Sequence, residues 1–299
     1  MLLIITLFVL GIIIFISVKS KNQTNIVVIS GETAAEQTAA GIDAETTGAQ
    51  NDAAPEGIPA PSEQNDLLEI IRSSDAAGGE KTCYLTFDDG PSDNVTPRIL
   101  DTLRKYNIKA TFFQVGTSIS ANPDMARRVY EEGHLIANHS DSHNYDKLYA
   151  SEESFADEVL TNEELINGVT GGEAKMKLFR FPGGSFNTGD HAAEKQIYKT
   201  TLAENGFYYV DWNTLNGDAE GAKKSADELL AYIQRYTDTS SSAVVLMHDA
   251  AAKTVTADAL DSIIQYFISE GYAFKRLDEI PIPETANTAA EEVYAEYGE

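Results

Sequence analysis

Between residues 81 and 277, short apolar runs alternate with helix-patterned segments, and this alternation constrains the fold more than any other feature of the chain. Seven runs have strand character: 81–87, 110–115, 134–138, 177–181, 207–212, 243–247 and 272–277. Helical periodicity marks 96–106, 123–132, 151–167, 190–205, 225–236 and 255–270. Pro97 suits a first helical turn, a Ser-x-x-Ser pattern opens the 151–167 segment, and Gly206 and Gly271 stop two others. Such repetition gives a mostly parallel sheet covered by helices. About seven repeats suit a closed or nearly closed barrel, an α/β fold.

In folds of this kind reactive residues sit at the carboxyl ends of the strands. Asp88-Asp89 ends the first strand and His139 follows the third. Arg180, Pro182 and Gly183 end the fourth, 213–218 follow the fifth, and His248-Asp249 ends the sixth. Positions more than a hundred residues apart are therefore expected to face one another around one rim.

Taken alone, His139-x-x-x-His143 and Asp88-Asp89-Gly90-Pro91 are weak signals, an ordinary histidine pair and an ordinary turn. Together at strand ends they supply two imidazoles, one carboxylate ligand and a spare carboxylate. Three protein ligands leave a position open for water, which a bound zinc ion would acidify to a pKa near 7. A purely structural site would be closed by four ligands and would need no base beside it. Arg180 ends an apolar strand and is expected to orient the catalytic carboxylate through an ion pair. The glycines after Pro182 allow backbone N–H groups to approach a substrate closely. His248 is placed as a general acid, with Asp218 raising its pKa through charge pairing. His134 and His191 fall outside these clusters and are read as structural or exposed.

The 299 residues carry a formal charge of −25, which argues against binding nucleic acid through its phosphates. The single cysteine, Cys83, rules out an intrachain disulfide framework and reads as a small core residue. Residues 2–18 are apolar apart from Thr6, Gly11 and Ser17, long enough to cross a bilayer. With no small-x-small site after them and no basic segment before, an uncleaved single-pass anchor over 1–19 is favoured over a secreted protein's signal peptide. Lys19 and Lys21 would by charge alone keep the remainder in the cytoplasm; the expected function places it outside the cell membrane instead. A disordered linker is expected over 20–64, the catalytic domain over 65–282 and an acidic tail over 283–299. A monomer is expected.

The segments Thr86-Phe87-Asp88-Asp89-Gly90-Pro91, His139-x-x-x-His143, Arg180-x-Pro182 and Leu246-x-His248 resemble, in order, the motif series of the polysaccharide deacetylases. This is the NodB-homology family, carbohydrate esterase family 4, and the resemblance spans about 81–277. It implies a distorted (β/α) barrel in which Asp88 is the general base, tethered by Arg180. Asp89, His139 and His143 would hold a divalent metal ion, zinc first and cobalt or another divalent ion second. The Gly183 N–H would stabilise the oxyanion, and Asp218 would pair with His248, which protonates the departing amine. Two departures stand out: Gly183 replaces a frequent aromatic residue, and Ala219 follows Asp218 where tryptophan is common. Trp212 and Tyr209 are expected to line the groove in their place, and the groove to be open enough for a branched glycan.

The implied activity is removal of N-acetyl groups from amino sugars of peptidoglycan or a chitin-like polymer. An O-acetyl esterase acting on xylan or another acetylated glycan is the alternative. A glycan-binding module without catalysis is disfavoured by the intact Asp88, Asp89, His139, His143, Arg180 and His248. A phosphate-binding barrel would need a glycine-rich phosphate loop or a basic cluster, and neither is present.

Overall fold

The computed structural model describes residues 14–20, 23–29, 65–172, 176–186 and 191–282. The chain divides into two compact units, Met1–Asn51 and Asp52–Glu299. In the first, Ile14–Ser20 pairs antiparallel with Gln23–Ile29. The expected anchor falls on residues 1–13, outside the described residues, and on the first strand of this pair. Most of the expected linker, and the acidic tail at 283–299, also lie outside the described residues. Among the described residues, no helix is long and apolar enough to cross a membrane.

The second unit contains strands β1 Thr82–Asp88, β2 Thr111–Gln114, β3 Leu135–Asn138, β4 Lys177–Phe179, β5 Phe207–Tyr209, β6 Thr214–Leu215, β7 Ala243–His248 and β8 Ala273–Phe274. Seven of them run in the order β5-β4-β3-β2-β1-β7-β6, and every pairing is parallel. The short β8 pairs with Thr82 and Cys83 at the start of β1, below the point where β2 takes over. The helices are α1 Leu67–Ala76, α2 Thr96–Tyr106, α3 Gly116–Ala121, α4 Pro123–Glu131, α5 Tyr145–Leu148, α6 Glu152–Thr170, α7 Ala192–Glu204, α8 Ala226–Tyr236 and α9 Thr254–Ser269.

The barrel is not closed: the sheet is a curled half-barrel whose path ends at β5 and β6. Helix α1, which the periodicity did not single out, bridges the open side. Asn65 and Asp66 pair with Tyr209 at the β5 edge, and the Asp75 carboxylate accepts from Ser242 N–H and Oγ–H at the foot of β7. Leu67, Leu68 and Ile71 of α1 pack with Tyr84, Phe113, Leu178 and Val244 on the concave face of the sheet. A short apolar helix thus buries surface that another strand would cover in a closed barrel.

Strand alternation sorts β1 between two layers. Cys83, Leu85 and Phe87 face outward into the core shared with α2, α4, α8 and α9, so the expected core role of Cys83 holds. Tyr84, Thr86 and Asp88 face inward. Local signals act where expected: Ser151 caps α6 by accepting from Ser154 N–H, and Ser225 with Glu228 forms a capping box on α8. The expected final strand over 272–277 shrinks to β8 followed by a 3-10 turn at Leu277–Glu279.

Candidate active site

Asp88 ends β1, and in the sheet register it lies beside His248, which ends β7. Candidate base and candidate acid therefore come from adjacent strand ends. Arg180 follows β4, three strands from β1 in the sheet. On a flat sheet that gap would be about 14 Å; the curl closes it. Arg180 Nη1 donates to Asp88 Oδ1 at 2.9 Å and to Thr86 Oγ1 at 2.6 Å. Its Nε and Nη2 donate to the carbonyls of Val210 and Asp211, and the guanidinium lies 4.1 Å from the Phe113 ring centroid. Both partners are essentially sealed from solvent, Arg180 at 0% and Asp88 at 3% exposure.

Asp89 adopts a left-handed backbone (φ 74°), as do Ser140 (φ 65°) and His143 (φ 53°). Three of the five such non-glycine residues among those described thus lie in this one site, held by surrounding structure against their intrinsic cost. Asp89 N–H donates to the Phe113 carbonyl, Ser140 N–H to Asn138 Oδ1 and His143 N–H to Ser140 Oγ. The His-x-x-x-His spacing works through this loop rather than a helix. Gly90 follows Asp89 at a cis Gly90–Pro91 bond, and a Cβ there would collide with the Asp249 carboxylate, so only glycine fits.

Asp89 Oδ1 lies 3.5 Å from His139 Nε2 and 3.3 Å from His143 Nε2, and it is buried without a hydrogen-bond partner. Donor atoms around a tetrahedral ion at zinc bond lengths are about 3.4 Å apart. The trio therefore fits a divalent metal ion, and the orphaned oxygen is the atom such an ion would satisfy. His139 Nδ1 lies 2.8 Å from the Arg180 carbonyl, which can only accept. Nδ1 therefore carries the proton and the lone pair at Nε2 faces Asp89. Burial raises the Asp89 pKa, but the imidazoles of His139, His248 and His143 outweigh it and hold the carboxyl well below its usual range. Burial also lowers the His143 pKa, and His139 adds to the effect; a depressed value favours the neutral ligand form. The same geometry separates the two carboxylates. Asp88 is committed to Arg180, whereas Asp89 is left facing two imidazoles.

His248 Nδ1 is 2.7 Å from Asp218 Oδ1, and its N–H donates to Asp218 Oδ2 at 3.0 Å. Thr256 Oγ1–H donates to the same Oδ2 at 2.6 Å. Burial works against a charged His248, but the hydrogen bond and charge of Asp218, with Asp88 and Asp89 nearby, raise its pKa above the ordinary imidazole value. Burial likewise opposes ionised Asp218, but His248 and Thr256 hold it below the usual carboxylate range.

Asp88, Asp89, His139, His143, Asp218 and His248 line a cavity of about 350 Å³ together with Gly183, Trp212 and Ala219. Trp212 is therefore where the groove reading expected it, with Phe186 packed edge-to-face against it. Tyr209 is not: it is buried at 6% exposure against Phe181, in the core under α6 and α7. Its strand position points it outward, and Tyr145 from α5 takes the wall instead. His134 is structural, as expected. Its Nδ1 accepts from Ala110 N–H, and burial brings its pKa down to about 3. His191 stacks on Tyr149 away from the reactive groups.

Sequence reasoning missed the supports. Glu158, fully buried on α6, accepts from Ser142 N–H and Oγ–H and pairs with Lys147, which braces the loop carrying both histidines. Asn162 donates to the Gln114 carbonyl and to Asn138 Oδ1. The available signal was polar residues on the apolar face of α6, between Phe155, Val159 and Ile166. Asp249 is fully buried beneath Gly90, and burial pushes its carboxyl up to about 7. Thr96 Oγ1–H donates to it, and its own N–H donates to the Asp88 carbonyl.

A family model described as polysaccharide deacetylase matches residues 75–200. A peptidoglycan-N-acetylglucosamine deacetylase of Bacillus cereus is 34% identical over 205 residues, covering 67% of this chain and 88% of the relative. A peptidoglycan-N-acetylmuramic acid deacetylase of Bacillus subtilis is 32% identical over 202 residues, covering 67% and 72%. Among solved structures, the catalytic domain of a peptidoglycan N-acetylglucosamine deacetylase from Eubacterium rectale superposes with a TM-score of 0.60 at 35% identity, covering 69% of this chain and 90% of that one. On this match and these identities, the chain belongs to the polysaccharide deacetylase family.

Proposed function

We propose that this protein hydrolyses N-acetyl groups from the amino sugars of peptidoglycan, with Asp89, His139 and His143 holding a zinc ion. The carrying observation is the orphaned Asp89 oxygen between two imidazoles, beside an Arg180-tethered Asp88 and across from an Asp218-paired His248. When bound, the ion polarises the acetyl carbonyl and acidifies a water molecule. Asp88 takes the water's proton as its oxygen attacks the acetyl carbon. The Gly183 N–H, at the cavity wall, would donate to the oxygen that gains charge. His248 donates its proton at Nε2 to the sugar nitrogen as the C–N bond breaks, while its Nδ1–H stays on Asp218. Acetate and a free amine leave. Peptidoglycan is the substrate named for the two relatives from Bacillus. The apolar run at 2–18 supports anchoring in the cell membrane, with the catalytic unit outside and within reach of that polymer.

The test is acetate release from peptidoglycan, N-acetylglucosamine oligomers and acetyl-xylan in parallel, with chelator and with added zinc or cobalt. Release from the amide substrates that chelator stops and metal restores is expected. Release from acetyl-xylan alone would make the protein an O-acetyl esterase, and no metal-restored release from any substrate would overturn catalysis.

Activity should also carry the signature of the His248–Asp218 pair. The acid must be protonated, so activity falls as pH rises through its pKa, and Asp218 keeps that pKa high. In Asp218→Asn the charge is gone and the alkaline limb of the kcat profile moves to lower pH. An unmoved limb would take Asp218 out of this role.

A further inference from the structure

We propose that the Tyr145 hydroxyl is a second donor to the oxyanion, acting beside the Gly183 N–H; the inference rests on the deacetylase reading above. Tyr145 opens α5, two residues after His143, and lines the same cavity as Asp88, Asp89, His139 and Gly183. A Cβ built on Gly183 would lie 2.7 Å from the Tyr145 hydroxyl oxygen. That hydroxyl makes no hydrogen bond to any described residue, so its proton is free for a bound group. Gly183 has φ 74°, so a side chain there would strain the backbone, and its Cβ would displace the phenol hydroxyl from its present position. Gly183 and Tyr145 therefore form a matched pair: the absent side chain makes room for the hydroxyl next to a bare stretch of backbone.

The ring is held in place while the hydroxyl is left unused. It packs edge-to-face on His143 with centroids 5.7 Å apart, and on Tyr149 at the same separation. Tyr149 is buried and its hydroxyl donates to the Pro182 carbonyl at 2.9 Å, which ties α5 to the turn that carries Gly183. Asn144 caps α5 by accepting from Lys147 N–H. A donor fixed in this way needs no reorganisation when charge develops on the acetyl oxygen, and one donor of this kind is worth about 10²-fold or more in kcat.

The test uses full-length, metal-loaded enzyme. Tyr145→Phe keeps the ring and its packing and removes only the hydroxyl. It is expected to lower kcat by about 10²-fold, with KM within about threefold and an unchanged melting temperature. Affinity for a phosphonate analogue of the tetrahedral acetyl centre should fall by a similar factor, while affinity for the deacetylated product stays as it was. Tyr145→Leu, which also removes the wall, should raise KM in addition. A Tyr145→Phe enzyme with kcat within threefold of the parent, or with unchanged phosphonate affinity, overturns the assignment. A parent enzyme that releases no acetate overturns the reading beneath it instead, so the two failures are distinguishable.

Discussion

Asp88→Asn is expected to reduce kcat by about 10³-fold while the protein still binds one equivalent of zinc, because general-base contributions run to about 10²–10⁴-fold. The expectation follows from the division of labour between neighbouring carboxylates. Asp89 Oδ1 sits between His139 and His143, whereas Asp88 has Oδ1 on Arg180 and Oδ2 3.8 Å from His139 Nε2, at the cavity wall. The amide introduced by this substitution would keep the shape and an acceptor for Arg180 but could not take a proton. Zinc binding by calorimetry and acetate release by coupled assay separate the two roles. A variant that loses zinc as completely as Asp89→Ala would mean that Asp88 is a ligand; one that retains near-parental turnover would mean that the base lies elsewhere.

Arg180→Met should be the most destabilising single change at the site. The guanidinium is wholly buried, donates to Asp88, Thr86 and two carbonyls, and lies over Phe113. Methionine fills much of the space but leaves the Asp88 charge buried and unpaired. Removing one partner of such a pair costs about 3–5 kcal/mol. Urea unfolding should register that loss, and the catalytic rate should fall with it because Asp88 is no longer held. A loss under about 1 kcal/mol would show that Asp88 relaxes to water or another donor, and that the tether is not what positions it.

Much of this could be read along the chain. Alternating strand and helix patterns implied the parallel sheet, since burial on both faces makes each strand apolar and each helix amphipathic. Asp88, Asp89, His139, His143, Arg180 and His248 were visible because chemistry of this kind needs particular residue types at strand ends. The neighbours of the site were less visible. Tyr145 reads as an ordinary aromatic, and Tyr209 looked better placed because proximity in sequence to Trp212 was mistaken for a shared face. One residue of strand register decides which way such a side chain points.

The order of motifs, their residue types and the strand-end rule belong to the sequence, because local periodicity and chemical identity are properties of single segments. The half-open sheet, the bridging α1, the buried brace at Glu158 and the meeting of Tyr145 with Gly183 belong to the tertiary structure. Each depends on distances between segments far apart in the chain, and only the curl of the sheet and the packing of helices against it set those distances.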